Sequence, residues 1–213
     1  MRIGVDEAGK GPVLGSMFAA AVAVTDPKVL PDGVDDSKRL APETRERLDD
    51  RLRGDDRVQV AVAEITPARI DDPATDMNAL TVAAHANAIS RLAADGDDVV
   101  VDAGDVSESR FARRVRTAAT ADVDVTAEHG ADETHPVVAA ASVVAKVARD
   151  AQMTALASEH GAVGSGYPSD PTTREFLATH VADHGQLPAF ARESWSTSAD
   201  VLAAAEQSGL DDF

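Results

Sequence analysis

The chain contains no cysteine, which excludes disulfides, thiolate metal sites and cysteine nucleophiles at once. Aromatic residues make up 3% of it, with one tyrosine and one tryptophan, so an aromatic side chain in a loop calls for a specific reason. No stretch approaches the roughly 20 apolar residues of a membrane-spanning helix. The start, MRIGVDEAGKGP, lacks the basic segment and apolar run of a secretory signal. A cytoplasmic protein without a membrane association is expected. Lysine is scarce as well: Lys10, Lys28, Lys38 and Lys146 stand against 16 arginines.

Aspartate is in excess. The chain carries 26 Asp and 11 Glu, for a formal charge of −17 over 213 residues. An acidic surface repels polyphosphates, and nucleic-acid binders ordinarily show a basic patch, so charge alone argues against a nucleic-acid enzyme. An Asp-rich, Lys-poor composition also suits a protein kept hydrated in concentrated intracellular salt, where repulsion is screened within about 3 Å at 1 M. Halophilic adaptation is therefore expected, with an acidic binding protein from an ordinary cytoplasm as the alternative. A hydrophobic share of 44% supports one folded core with a small extension.

RIGVDEA reads as a strand stopped at Gly9-Lys10-Gly11-Pro12, where glycine and proline break regular structure. Residues 15–24 read as a buried strand able to form a hairpin with it. A helix is expected over 42–53, an alternating strand over 57–65, and a short helix capped by Thr66 with Pro67 first. There follow a helix over 77–94, the Val-rich strand 98–102, a basic helix over 109–119 and a strand over 123–127. A long apolar helix over 137–160 and helices over 172–184 and 199–207 complete the chain. The order predicts an α/β fold, a mixed sheet flanked by helices, with a helical C-terminal part.

Acidic residues at strand ends attract attention first. Asp6 and Glu7 close the first strand, Asp102 closes the Val-rich one, and Asp132 precedes the long helix. If the first and fourth strands are neighbours, these carboxylates converge, and clustered carboxylates cannot all ionise without cations. Hard divalent ions with oxygen ligands answer that need. Each aspartate taken singly reads more readily as a solvated surface residue, and position alone leaves the four together as readily surface as site. Glu7 faces away from Asp6 if the strand is regular, so it needs a local twist or must offer its main-chain carbonyl. Asp105, three residues beyond Asp102, reads as a loop residue.

DEAGKGP at 6–12 resembles the opening signature of the ribonuclease HII family. The likeness continues through DSKRL at 36–40, VVVDAGDV at 99–106, GAD at 130–132 and AAASVVAKVARD at 139–150. It reaches GYPSDPTT at 166–173 and ESWST at 193–197. The resemblance is to the archaeal type and implies a ribonuclease-H-like catalytic domain over 1–160 with a helical part over 161–206. It implies two cations, Mn²⁺ or Mg²⁺, on Asp6, Glu7, Asp102 and Asp132. The implied reaction is hydrolysis of the RNA strand of RNA–DNA hybrids and cleavage 5′ of ribonucleotides embedded in DNA, leaving 3′-hydroxyl and 5′-phosphate ends.

Such an enzyme must read a ribose 2′-hydroxyl. Gly9-Lys10-Gly11 resembles the family's glycine-basic-glycine loop, which contacts that group through its backbone. Position 10 is Lys where Arg is commoner, so a charge remains without a bidentate fork. Tyr167 matches the tyrosine that packs on the following sugar; closing the helical part onto the sheet would equally explain it. Lys38 looks like a phosphate contact. Ser142, Lys146 and Arg149 fall on one helix face at spacings of four and three, a face suited to a nucleic-acid backbone or simply to solvent. His129 and His135 flank Asp132, where they are placed to assist proton transfer, although loop histidines in such a chain are more often inert.

The C-terminus, EQSGLDDF, sets Gln207, Leu210 and Phe213 in a spacing similar to the short box by which replication proteins dock on a sliding clamp, making 207–213 a candidate partner-binding tail. The box usually has a second aromatic residue, which is missing here. A hydrophobic C-terminus tucked onto the domain is the alternative. Three rival readings remain: the type 3 enzyme, which carries an extra N-terminal domain; a non-catalytic hybrid-binding protein, which would be expected to lose carboxylates; and an acidic cation-binding protein, which leaves the glycine loop unexplained. A monomer is expected.

Overall fold

The structure is a computed structural model that describes residues 1–34 and 40–211, with backbone alone for 208–211. Five strands form one sheet in the order β3-β2-β1-β4-β5. They are β1 (Arg2–Ala8), β2 (Met17–Val24), β3 (Val58–Ile65), β4 (Asp98–Asp102) and β5 (Asp124–Glu128). The first three pair antiparallel; β1–β4 and β4–β5 are parallel. The helices are α1 (Pro42–Gly54), α2 (Pro67–Ile70), α3 (Met77–Ser90), α4 (Glu108–Ala118), α5 (Ala131–Thr134), α6 (Pro136–His160), α7 (Pro171–His184) and α8 (Ser196–Asp211). The expected mixed α/β sheet and the adjacency of the first and fourth strands are both present.

Alternation along β1 divides the core. Ile3 and Val5 join Ala19, Ala21, Val99 and Val101 beneath α3 and α4. On the other face Ala20, Val22 and Val100 pack under α6. Alanines in β2 keep both faces shallow, and Gly4 of β1 brings α6 closer still. A Cβ there would collide with the carbonyl group of Val137 and stand 2.5 Å from the Val138 nitrogen. The long helix therefore rests on strand backbone.

A third cluster, Val13, Leu14, Met153, Val163, Leu177 and Ala191, joins the loop after β1 to the C-terminal helices. Its backbone is stitched there too: Val13 N–H and Leu14 N–H donate to the Gly166 carbonyl, Gly15 N–H to that of Phe190, and Arg192 N–H to that of Val13.

Several element ends differ from expectation. The helix expected to reach residue 94 stops at Ser90, because the Asp97 carboxylate takes the Ala94 N–H at 2.9 Å in place of a helical carbonyl. Thr66 stands at the N-cap of α2 but its side chain makes no capping bond; Pro67 and Asp76, which caps α3 through Ala79 N–H, set those starts. The single turn α5 precedes the long helix, and the terminal helix begins at Ser196, three residues earlier than expected, seeded by Ser198 N–H and Ala199 N–H on the Trp195 carbonyl.

Candidate active site

Asp6 and Asp102 occupy matching places on neighbouring strands. Val5 pairs with Val101 in the parallel ladder, so the two aspartates follow at the same level, where β1 and β4 end. Asp6 is buried, and one of its oxygens accepts the Glu7 N–H at 2.7 Å. Burial first, and then the charges of Glu7 and Asp102, push its carboxyl up to about 7, against a hydrogen bond from Ser142 that pulls it down. The Asp102 carboxylate accepts the Ala131 N–H at 2.9 Å, which ties the end of β4 to the start of α5. Asp132 is the next residue, 3% exposed.

Glu7 turns to the opposite face, as strand alternation requires. Its Oε2 lies 2.7 Å from Nε2 of His85, a fully buried residue of α3. Burial alone would raise the Glu7 carboxyl, yet the hydrogen bond and charge of His85, with the charge of Lys10, hold it below its usual value. Asp105 is engaged elsewhere, in a bidentate pair with Arg110 at 2.5 and 2.9 Å. His135 bonds Glu128 at 2.9 Å.

The donor set at the strand ends is all carboxylate oxygen, and burial, with the charges of its neighbours, pushes one member, Asp6, up to about 7. That chemistry fits a divalent cation, whose charge would let Asp6 and Asp102 ionise together. Among the described residues, no group of three or more His, Asp or Glu side chains is arranged to hold an ion unaided. A small hard cation commonly keeps waters and substrate oxygens in its shell.

Beside the carboxylates lies a pocket of about 400 Å³ lined by Glu7, Gly9, Lys10, Gly11, Arg45, Lys146, Arg149, Asp150 and Tyr167. It gathers four cationic side chains and one acidic residue besides Glu7, on a chain of charge −17. The expected face of α6 is there: Lys146 Nζ donates to Ser142 Oγ at 2.9 Å, and Ser142 reaches Asp6. The Arg149 guanidinium lies 5.2 Å from the centre of the Tyr167 ring and donates to the Ser165 carbonyl. Tyr167 itself is 41% exposed, an unusual degree for a large hydrophobic residue in this chain. Lys10 Nζ donates to the Gly104 carbonyl at 2.7 Å, which joins the loop after β1 to the loop after β4.

Gly9 has φ +89°, and a Cβ on it would stand 2.7 Å from the Ser16 carbonyl oxygen. The glycine is therefore obligatory on both counts. The carbonyls of this loop are all held from the C-terminal part. Arg192, fully buried, donates from Nη2 to Gly9 O at 2.6 Å, from Nη1 to Lys10 O at 3.0 Å and from Nε to Gly15 O at 2.9 Å. Its guanidinium stacks 4.9 Å from the Trp195 ring centre, and the Trp195 indole N–H donates to Gly11 O at 3.1 Å. Burial pulls the guanidinium down to about 10, so it stays charged at neutral pH. Asp71 anchors this strap of residues, Arg192 to Trp195, by accepting Glu193 N–H and Ser194 N–H, each at 2.9 Å.

Arg45, His85, Arg192 and Trp195 are the residues that sequence reasoning left without a role. ESWST marks the neighbourhood of two of them, but gives no partner. Arg45 pairs with Asp150 at 2.7 Å and keeps a buried Nε with no partner among the described residues. Lys38 and Phe213 lie outside the described residues. Gln207 is exposed on α8, and the helix backbone continues through Leu210.

A family model described as Ribonuclease HII matches residues 3–198. The Ribonuclease HII of Halobacterium salinarum is 65% identical over 213 residues, covering 100% of this chain and 99% of that protein. The crystal structure of the ribonuclease H2 from Pyrococcus horikoshii OT3 superposes with a TM-score of 0.90 at 35% identity, over 97% of this chain and 99% of that one. The PCNA:RNase HII complex from Archaeoglobus fulgidus contains a chain that superposes at 0.85 with 38% identity, over 100% of both.

Proposed function

The chain belongs to the ribonuclease HII family, and from that premise we propose how it acts as an endonuclease on the RNA strand of RNA–DNA hybrids. One observation carries the site: buried Asp6 stands level with Asp102 on the adjacent strand, and Ser142 joins it to Lys146 of a cationic pocket lined also by the Gly9–Gly11 loop. Asp6, Asp102, Asp132 and the main-chain carbonyl of Glu7 would hold two cations, Mg²⁺ or Mn²⁺, which supply an activated water and neutralise charge at the scissile phosphate. The Glu7 carboxylate, held by His85, contributes charge from the opposite face.

The rest of the work falls to the pocket. Lys146, Arg149 and Arg45 present cations to phosphates on both sides of the cut; Lys38, outside the described residues, is a further phosphate contact that the family resemblance implies. Backbone N–H groups of the glycine loop read the 2′-hydroxyl, and Tyr167, above Gly11, packs on the sugar that follows. The cut falls 5′ of the ribonucleotide and leaves 3′-hydroxyl and 5′-phosphate ends. The hybrid-binding alternative without catalysis is disfavoured by the retained carboxylates. The test is cleavage of a DNA duplex bearing one ribonucleotide, with and without divalent metal; binding without metal-dependent cleavage would leave only the alternative. No helix among the described residues is long and apolar enough to cross a membrane; a cytoplasmic location and a monomeric state are part of the reading proposed here.

Tyr167→Ala should lower cleavage at a single embedded ribonucleotide by about tenfold or more, the scale of a lost aromatic platform, while Mn²⁺ affinity stays unchanged. Titrating Mn²⁺ into wild type and variant checks this; a parallel loss of metal affinity would assign the ring to structure. The acidic composition, in a chain 65% identical to the Ribonuclease HII of Halobacterium salinarum, predicts a second result. Phosphate contacts weaken with salt, but screening relieves self-repulsion over the whole surface. Activity and melting temperature should therefore hold or rise as KCl approaches about 1 M, and unfolding there would contradict it.

For the tail we take a sliding clamp as partner. Gln207 is exposed on α8, whose backbone brings position 210 one turn further on, the register a groove-binding helix uses. Purified clamp should bind the full chain, in molar KCl, and not a version lacking 207–213. Equal binding by both would end the idea.

A further inference from the structure

We propose that Arg192 and Trp195 are positioning residues for sugar discrimination: together they fix which way the peptide groups of the Gly9–Gly11 loop point. This rests on the reading of that loop as the reader of the 2′-hydroxyl. The argument begins with where three carbonyls go. Gly9 O and Lys10 O accept from Arg192, and Gly11 O accepts from Trp195. A trans peptide is planar, with its N–H opposed to its C=O, and the described chain has no cis peptide bonds. Holding the Gly9 carbonyl therefore aims the Lys10 N–H away from the strap, and holding the Lys10 carbonyl does the same for the Gly11 N–H. The third held carbonyl precedes Pro12, which has no N–H to aim.

Two adjacent donors thus project from one side of the loop, and neither meets an acceptor among the described residues. Tyr167 lies on that loop, its ring edge 3.7 Å from where a Cβ on Gly11 would stand. The holders are chosen for rigidity. Arg192 is a fully buried cation whose hydrogen bonds among the described residues all end on main-chain carbonyls, and its planar fork spans three of them at once, which an ammonium cannot do. Trp195 closes the guanidinium face and takes the remaining carbonyl. A sugar bearing a 2′-hydroxyl meets donors that need no reorganisation; a deoxyribose leaves them unsatisfied, which costs binding.

The test compares the full-length wild type with Arg192→Lys and Trp195→Phe. The first keeps the charge and loses the fork; the second keeps the ring and loses one donor. Binding to a duplex with one ribonucleotide and to the same duplex in all-DNA form is measured by fluorescence anisotropy in Ca²⁺. Melting temperature and Mn²⁺ affinity are followed alongside. The expected result is that the ratio of the two affinities falls by about tenfold in Arg192→Lys, the scale of a mispositioned hydrogen bond. A smaller fall is expected in Trp195→Phe, with Mn²⁺ affinity unchanged in both. A lowered melting temperature with an unaltered ratio would make both residues merely structural and overturn the proposal. Should Arg192→Lys fail to fold, an unaltered ratio in Trp195→Ala, which uncovers the guanidinium face and frees the Gly11 carbonyl, overturns it alone. A wild type with no preference for the ribonucleotide would instead remove the loop reading itself, and the proposal with it.

Discussion

Asp6→Asn should lower metal-dependent cleavage by more than about two orders of magnitude, as expected when a cation loses a charged ligand, and should at the same time make the metal-free protein harder to unfold. The two effects share one cause. Asp6 is buried against the charges of Glu7 and Asp102, and its carboxyl in the folded chain releases its proton only near 7, against 3.8 for an unperturbed aspartate. Raising the pH across that interval ionises the unfolded chain first, so ionisation favours unfolding. The metal-free wild type should therefore lose stability from about pH 4 to about pH 7, with the loss complete above it and on the order of a few kcal/mol. The amide keeps an oxygen for the Glu7 N–H and carries no charge, so the variant should show a flatter profile. Melting curves at several pH values, with and without Mg²⁺, check this. Added Mg²⁺ should stabilise the wild type mainly above that interval and the variant little. Asp102→Asn and Asp132→Asn should share the loss of activity; near-normal cleavage in all three would move the site elsewhere.

Gly4→Ala is expected to be the most damaging small substitution in the chain. The added methyl would occupy the backbone of α6 at Val137 and Val138, where no flexible side chain can give way. Overpacking of that kind costs about 3 kcal/mol or more, a large part of a domain's total stability. Gly54→Ala is the control. Nothing lies within 4 Å of a Cβ at that end of α1, and alanine there should stabilise by up to about 1 kcal/mol. Denaturant unfolding of the three proteins distinguishes a packing lesion from a general intolerance of side chains at glycine. If Gly4→Ala matches wild type, α6 does not rest on β1 as described.

The contrast between these sites marks what the sequence could and could not disclose. Local patterns were legible: the alternation that splits β1 between two cores, the Val-rich β4, and the breakers that end β1 at Gly9. They placed Asp6 and Asp102 at strand ends, and the neighbouring of β1 and β4 then brought the two level. The face of Ser142, Lys146 and Arg149 followed from helical spacing alone. What stayed hidden was pairing across the chain. His85 meets Glu7 over 78 positions, Arg45 meets Asp150 over 105, and Arg192 meets Gly9 over 183. No periodicity encodes such partners. Gly4 was hidden for a related reason, since its role is a close approach by a helix far along the chain. Helix ends were misjudged where a side chain intervened, as Asp97 does at Ala94.

The separation of 183 positions between Gly9 and Arg192 has a consequence in time. A chain emerging from the ribosome at about 5–20 residues per second lays down β1, its glycine loop and the carboxylate strands well before the strap exists. Contacts so distant in sequence must wait for the ends to be brought together. The acid ladder of Asp6 and Asp102 can assemble during synthesis, but the loop beside it acquires its held carbonyls only after nearly the whole polypeptide has been made. On the reading of that loop proposed above, selectivity for one sugar over another is the last property the nascent protein gains, and a chain released short of Arg192 carries its carboxylates beside a loop whose N–H donors nothing aims.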